Sequence, residues 1–138
     1  MQRSNRARWM LALVMLLGIA CQLWQFAHRQ SFWKDETGLA RNFFIRDLST
    51  IHQPLTDNQA APIGFVQISK LMEMSFGHSE HTFWLLPLIL AALGIFIGAA
   101  VWKNLLPTGA WVIAVALWAL NPTVIAHVTQ FKPYLTDA

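Results

Sequence analysis

Charge is missing from this chain over three long stretches, and that absence limits its fold more than any other feature. Trp9 to Ala27, Phe83 to Trp102 and Gly109 to Ala126 run 19, 20 and 18 residues without an Asp, Glu, Lys or Arg. A helix rises about 1.5 Å per residue, so each run is long enough to cross roughly 30 Å of hydrocarbon. Only Asn121 and Pro122 interrupt the third. Charged residues make up 12% of the 138, against about 25% in ordinary globular domains. The sequence therefore predicts an all-α membrane protein with three transmembrane helices.

The distribution of charge then predicts an orientation. Arg3, Arg6 and Arg8 precede the first run with no acid beside them, and Lys103 stands alone between the second and third. Segment 28–82 holds five basic and six acidic residues, and Lys132 offsets Asp137 in the tail 127–138. By the positive-inside rule the N-terminus and Lys103 are cytoplasmic, while the 28–82 loop and the tail lie outside. The net charge of +3 is thus topological, and no patch for nucleic acid is visible. Trp9, Trp24, Trp84, Trp102 and Trp111 fall near run ends, at headgroup level. "LLGIAC", ending at Cys21, is like a lipoprotein signal, but apolar residues continue through Leu23, Trp24 and Phe26. A retained anchor helix is the preferred reading. A single cysteine allows no intramolecular disulfide.

The 55-residue outside loop is too long to be an idle connection. Leu39, Phe43, Phe44 and Leu48 recur at helical spacing between Asp35 and Leu48, with Arg41, Arg46 and Asp47 largely elsewhere on the wheel. Such a helix lies along the membrane surface or packs on the protein's own core. A polar break, "HQPLTDNQAAP", leads to a second apolar-periodic stretch through Ile63, Phe65, Ile68, Leu71, Met72 and Phe76. Two amphipathic surface helices are expected here, with "GHSEH" closing the second before the chain re-enters the membrane at Phe83. Pro87 then falls near the first turn of the second span, where a missing N–H costs least. Gly94 and Gly98 form a small-xxx-small pair expected to admit a neighbouring helix.

Under this topology Asp35, Glu36, Asp57, Lys132, Tyr134 and Asp137 share one side of the membrane, each close to an interface. A carboxylate near lipid meets a lowered dielectric, which disfavours its charge and makes it a better base. A neighbouring cation suits a phosphate. Together they fit chemistry on a lipid-phosphate substrate. Simpler roles stand beside this one: Asp35 and Glu36 favour a helix N-terminus, and Lys132 suits a snorkelling anchor. His78-x-x-His81 lacks a third ligand, and a metal site is not expected there.

"SFWKDETGLARN", with Trp33-Lys34-Asp35-Glu36, resembles the first-loop signature of GT-C superfamily membrane glycosyltransferases. The branch is that of the protein O-mannosyltransferases and the aminoarabinose transferases that modify lipid A. "LTDNQAAPIGFVQISKLMEMSFGHSEHTFWLLP" is similar to that branch's NQAAPPGF loop and following helix, with Ile63 in place of the second proline. "NPTVIAHVTQFKPYLTDA" resembles the entry to the second outside loop; Gln130 stands where a Glu is frequent.

The resemblance implies a GT-C-like N-terminal module and inverting transfer of a sugar from a polyprenyl-phosphate carrier to an acceptor on the outer face. Asp35 would be the base and Glu36 its support. Lys132, Tyr134 and Asp137 would serve the donor phosphate or its loop, and Asn58 and Gln59 the acceptor or its loop. A divalent cation is used by some members and is not firmly expected here. Placement in a plasma membrane, the bacterial inner membrane, follows, with the active-site loop periplasmic. Members carry several hundred residues, so the chain corresponds to their N-terminal part. Alone it is expected to be inactive without the remaining portion or a partner subunit. The competing reading is a non-catalytic membrane scaffold subunit, whose acids only start helices. A transporter is disfavoured, since no ionisable residue lies inside a span.

Overall fold

The computed structural model describes residues 2–29, 31–56, 59–107 and 109–132, with side chains from residue 5 onward. These hold six helices and no strand: α1 (Gln2–His28), α2 (Lys34–Ile45), α3 (Ile63–Phe76), α4 (Glu80–Leu105), α5 (Ala110–Ala119) and α6 (Pro122–His127). Two of them, α1 from Asn5 and α4, are long and apolar enough to cross a membrane.

The expected third span is divided. α5 has 10 residues and reaches about 15 Å, half the hydrocarbon thickness. Asn121 ends it by starting α6: its side chain accepts from the Thr123 N–H at 2.8 Å, and Pro122 follows with no N–H to offer α5. The two polar-looking interruptions of the run are therefore its breakpoint.

The second span begins earlier than expected. Ser79 caps α4, its hydroxyl accepting from the Thr82 N–H at 3.1 Å, so "EHT" is helical. Pro87 consequently lies inside the helix, in its third turn, rather than at its start. The glycines also pack differently from expectation. A Cβ on Gly94 would meet Trp118 of α5 at an ordinary 3.5 Å, and one on Gly98 would meet Trp102 of its own helix. The close approach is at Gly18 instead, where a Cβ would come within 2.8 Å of the Ala119 Cβ. α1 and α5 therefore touch backbone to backbone at that level.

Both loop helices form, and each is shorter or turned differently from its pattern. α2 stops at Ile45, which takes Leu48 off the wheel; Leu39 and Phe43 are buried, while Phe44 is largely exposed. Arg46 ties the following turn, donating to the Gln53 and Pro54 carbonyls at 2.8 and 2.6 Å. In α3 the inward face carries Phe65 and Val66 together with Ser69, Lys70 and Glu73, whereas Ile68, Leu71 and Phe76 face outward. The polar pair is tolerated inside because it is partnered. Lys70 Nζ donates to the Phe43 carbonyl at 2.7 Å and meets Glu73 Oε2 at 2.8 Å; His78 Nδ1 meets Glu73 Oε1 at 2.5 Å. The Lys70–Glu73 contact is an ion pair, and both Glu73 contacts have angles outside hydrogen-bond geometry.

Two cores result. One joins α1, α4 and α5 around Ile95, Val112 and Val115. The other lies under the loop helices, where Phe43, Phe65, Phe83 and Phe131 meet ring to ring with centroids 4.7–5.6 Å apart. Edge-to-face and tilted aromatic contacts of this kind add to plain burial. Phe131 therefore draws the segment after α6 back under α2, and this is what positions the candidate site.

Candidate functional site

The site is built where α1 ends, α2 begins and the segment after α6 returns. Lys34, Asp35 and Glu36 occupy the first turn of α2, where N–H groups lack intrahelical partners and acids are favoured. Glu36, at the third helical position, reaches back and accepts from the Trp33 N–H at 2.7 Å. That is the carboxylate half of a capping box.

Glu36 does more than start the helix. Its side chain is 3% exposed, and Arg29 Nη2, from a side chain 9% exposed, donates to Oε2 at 2.7 Å. The Phe131 N–H donates to Oε1 at 2.5 Å. Arg29 also bonds the Thr129 carbonyl, donates to Thr129 Oγ1 at 3.2 Å, and lies 5.3 Å from the Trp84 ring centroid. One buried ion pair thus fastens the α1 end, the α2 start and residues 129–131 together.

Asp35 faces the other way. Its side chain is 72% exposed, and Lys132 Nζ stands 3.4 Å from Oδ2. Asp35, Glu36 and Lys132 line an open cleft of about 220 Å³ with Trp33 and Gln130. Gln130 Oε1 sits 2.5 Å from His127 Nδ1. Adjacent acids in sequence therefore have opposite environments: Glu36 is buried and fully bonded, Asp35 is open to a ligand beside a cation.

In comparisons with known proteins, no family model, curated protein or solved structure matches this chain. Its chemistry is read from the geometry.

Of the residues singled out in the sequence, Asp35, Glu36 and Lys132 come together. Gln59 does not join them; it lines a separate cleft of about 270 Å³ between the 51–55 turn and α3. Asn58, Tyr134 and Asp137 lie outside the described residues. Glu36 offers no oxygen to an acceptor, since both are bonded within the protein, and its place is to hold Phe131 and hence Lys132. Arg29 was legible only as one basic residue past a span. Nothing in its spacing announces that it meets Glu36 and Thr129. Among the described residues no three His, Cys, Asp or Glu side chains converge to hold a metal ion. His78 and His81 diverge, the first onto Glu73 and the second against Trp84 and Phe26.

An exposed carboxylate beside an ammonium can take a proton from a hydroxyl while the cation holds a phosphate oxygen. The buried Arg29–Glu36 pair keeps the two within reach without the side chains having to find each other.

Proposed function

We propose that the chain carries the N-terminal module of a membrane glycosyltransferase that moves a sugar from a polyprenyl phosphate to an acceptor. The observation that carries this reading is the meeting of Asp35 and Lys132, 97 positions apart, at 3.4 Å across an open cleft. Asp35 takes the proton of an acceptor hydroxyl, and the acceptor oxygen bonds to the anomeric carbon. The bond from that carbon to the carrier phosphate breaks, its electron pair staying on the phosphate oxygen, which Lys132 stabilises. Attack opposite the leaving group inverts the anomeric centre.

The membrane setting is part of the same proposal. α1 and α4 turn Leu13, Leu16, Leu17, Leu93, Phe96 and Ile97 outward, an apolar surface that hydrocarbon covers and water does not. The outward Ile68, Leu71 and Phe76 of α3 extend it to the loop, consistent with a helix seated at the lipid surface.

Asp35→Asn, in the longest natural form of the protein, is expected to lower transfer from a polyprenyl-phosphate sugar by roughly 10²–10⁴-fold. Turnover at the wild-type rate would sink the assignment of the base. For orientation, an impermeant maleimide on intact cells should label His52→Cys and spare Asn104→Cys. The reverse pattern would overturn it.

A further inference from the structure

Proton transfer and phosphate binding use Asp35 and Lys132 and give the indole of Trp33 no part. Its backbone is held at both ends. The N–H donates to Glu36 Oε2 at 2.7 Å, and the carbonyl accepts from the Thr37 N–H at 3.0 Å and from Thr37 Oγ1 at 3.1 Å. The side chain nevertheless stands 68% exposed. Trp9 and Trp24 are equally open, but they sit on α1 among apolar residues, where headgroup-level placement accounts for them. Trp33 instead borders Asp35, Glu36, Gln130 and Lys132. A large aromatic face fixed on a rigid backbone beside polar groups is a prepared contact surface.

The ligand class follows from what surrounds the ring. A pyranose has one apolar C–H face and a rim of hydroxyls. An indole complements the face, while a carboxylate and an amide complement the rim. Gln130 borders the cleft, with its Oε1 set against His127 Nδ1. Lys132 supplies a cation for an anionic substituent. The cleft, about 220 Å³, is smaller than the roughly 300–1,000 Å³ of pockets for drug-sized ligands, and it suits one ring better than a lipid tail.

We propose that Trp33 is the stacking platform for the sugar ring of a sugar phosphate, with Lys132 on the phosphate and Gln130 and Asp35 on ring hydroxyls. This rests on the sugar-phosphate reading of the cleft, and it adds the element that selects a ring over bare phosphate.

Binding tests it without any transfer. The full chain in lipid nanodiscs is titrated calorimetrically with glucose 1-phosphate and with inorganic phosphate. The wild type should prefer the sugar phosphate. Trp33→Ala should reduce that preference by about two- to tenfold, the range of one aromatic packing contact, and Trp33→Phe should retain most of it. Lys132→Met should weaken both ligands and leave their ratio unchanged. No preference in the wild type, or a ratio that Trp33→Ala does not move, would overturn the platform. Retained transfer by Asp35→Asn would sink the base assignment, whereas the platform stands or falls on the wild-type and Trp33→Ala ratios alone, so the two proposals fail separately.

Discussion

Replacing Glu36 tests the architecture of the site most directly. Glu36→Ala removes the acceptor of three donors at once: Arg29 Nη2, the Trp33 N–H and the Phe131 N–H. The guanidinium of Arg29, 9% exposed, is left without its counter-charge. Breaking one side of a buried ion pair costs about 3–5 kcal/mol. The orphaned Phe131 N–H, which is buried, adds about 1–3 kcal/mol if water cannot reach it. Thr129 still accepts from Arg29, which offsets part of this loss, so about 3–5 kcal/mol is the expected total. Glu36→Gln keeps one acceptor oxygen but loses the charge and sets its NH₂ against the donors on the other side, so it should recover only part of the loss.

The assay is equilibrium unfolding of the purified protein in lipid or detergent, with Arg29→Met and the double variant completing a cycle. The double variant should lose much less than the sum of the singles, because an unpaired buried charge is what each single leaves behind. Additive effects, each below about 1 kcal/mol, are the behaviour of an exposed pair and would refute the reasoning.

Three further outcomes follow from the same structure. Asp35→Asn should change stability by less than about 1 kcal/mol, because the Asp35–Lys132 pair is exposed; a loss as large as that of Glu36→Ala would contradict this placement. Gly18→Ala should destabilise by about 1–3 kcal/mol through its clash with Ala119, whereas Gly94→Ala should be neutral or mildly stabilising; thermal unfolding of the two variants separates them. Glu73→Leu should cost several kcal/mol by leaving Lys70 buried against the Phe43 carbonyl alone, and pairing it with Lys70→Met should recover most of the loss in the same unfolding assay.

The structure also shows how far residue patterns carry. The uncharged runs beginning at Trp9 and Phe83 became α1 and α4, because a stretch that long and apolar has few ways to bond its own backbone. Asp35 and Glu36 in the first turn of α2 were readable from their place after a span and before a helical period. The third run misled, since its apolar character hides a break that Asn121 and Pro122 impose through the backbone alone. The inward face of α3 was not readable either. The outward side of that helix is the more apolar one, and the inward side is taken because Phe65 enters the aromatic core while Lys70 finds the Phe43 carbonyl and Glu73.

By itself, the sequence determined local matters: that the runs from Trp9 and Phe83 are helical, that two helices form in the loop between them, and that Asp35 and Glu36 open the first of these. Those depend on neighbours within a few residues, where spacing translates into geometry. Tertiary structure decided the rest. That Glu36 is buried and Asp35 open, that Arg29 grips residue 129, and that Lys132 arrives beside Asp35 all depend on contacts across about a hundred positions. No periodicity encodes such contacts. They exist because Phe131 is drawn into the aromatic core beneath α2 and carries Lys132 with it.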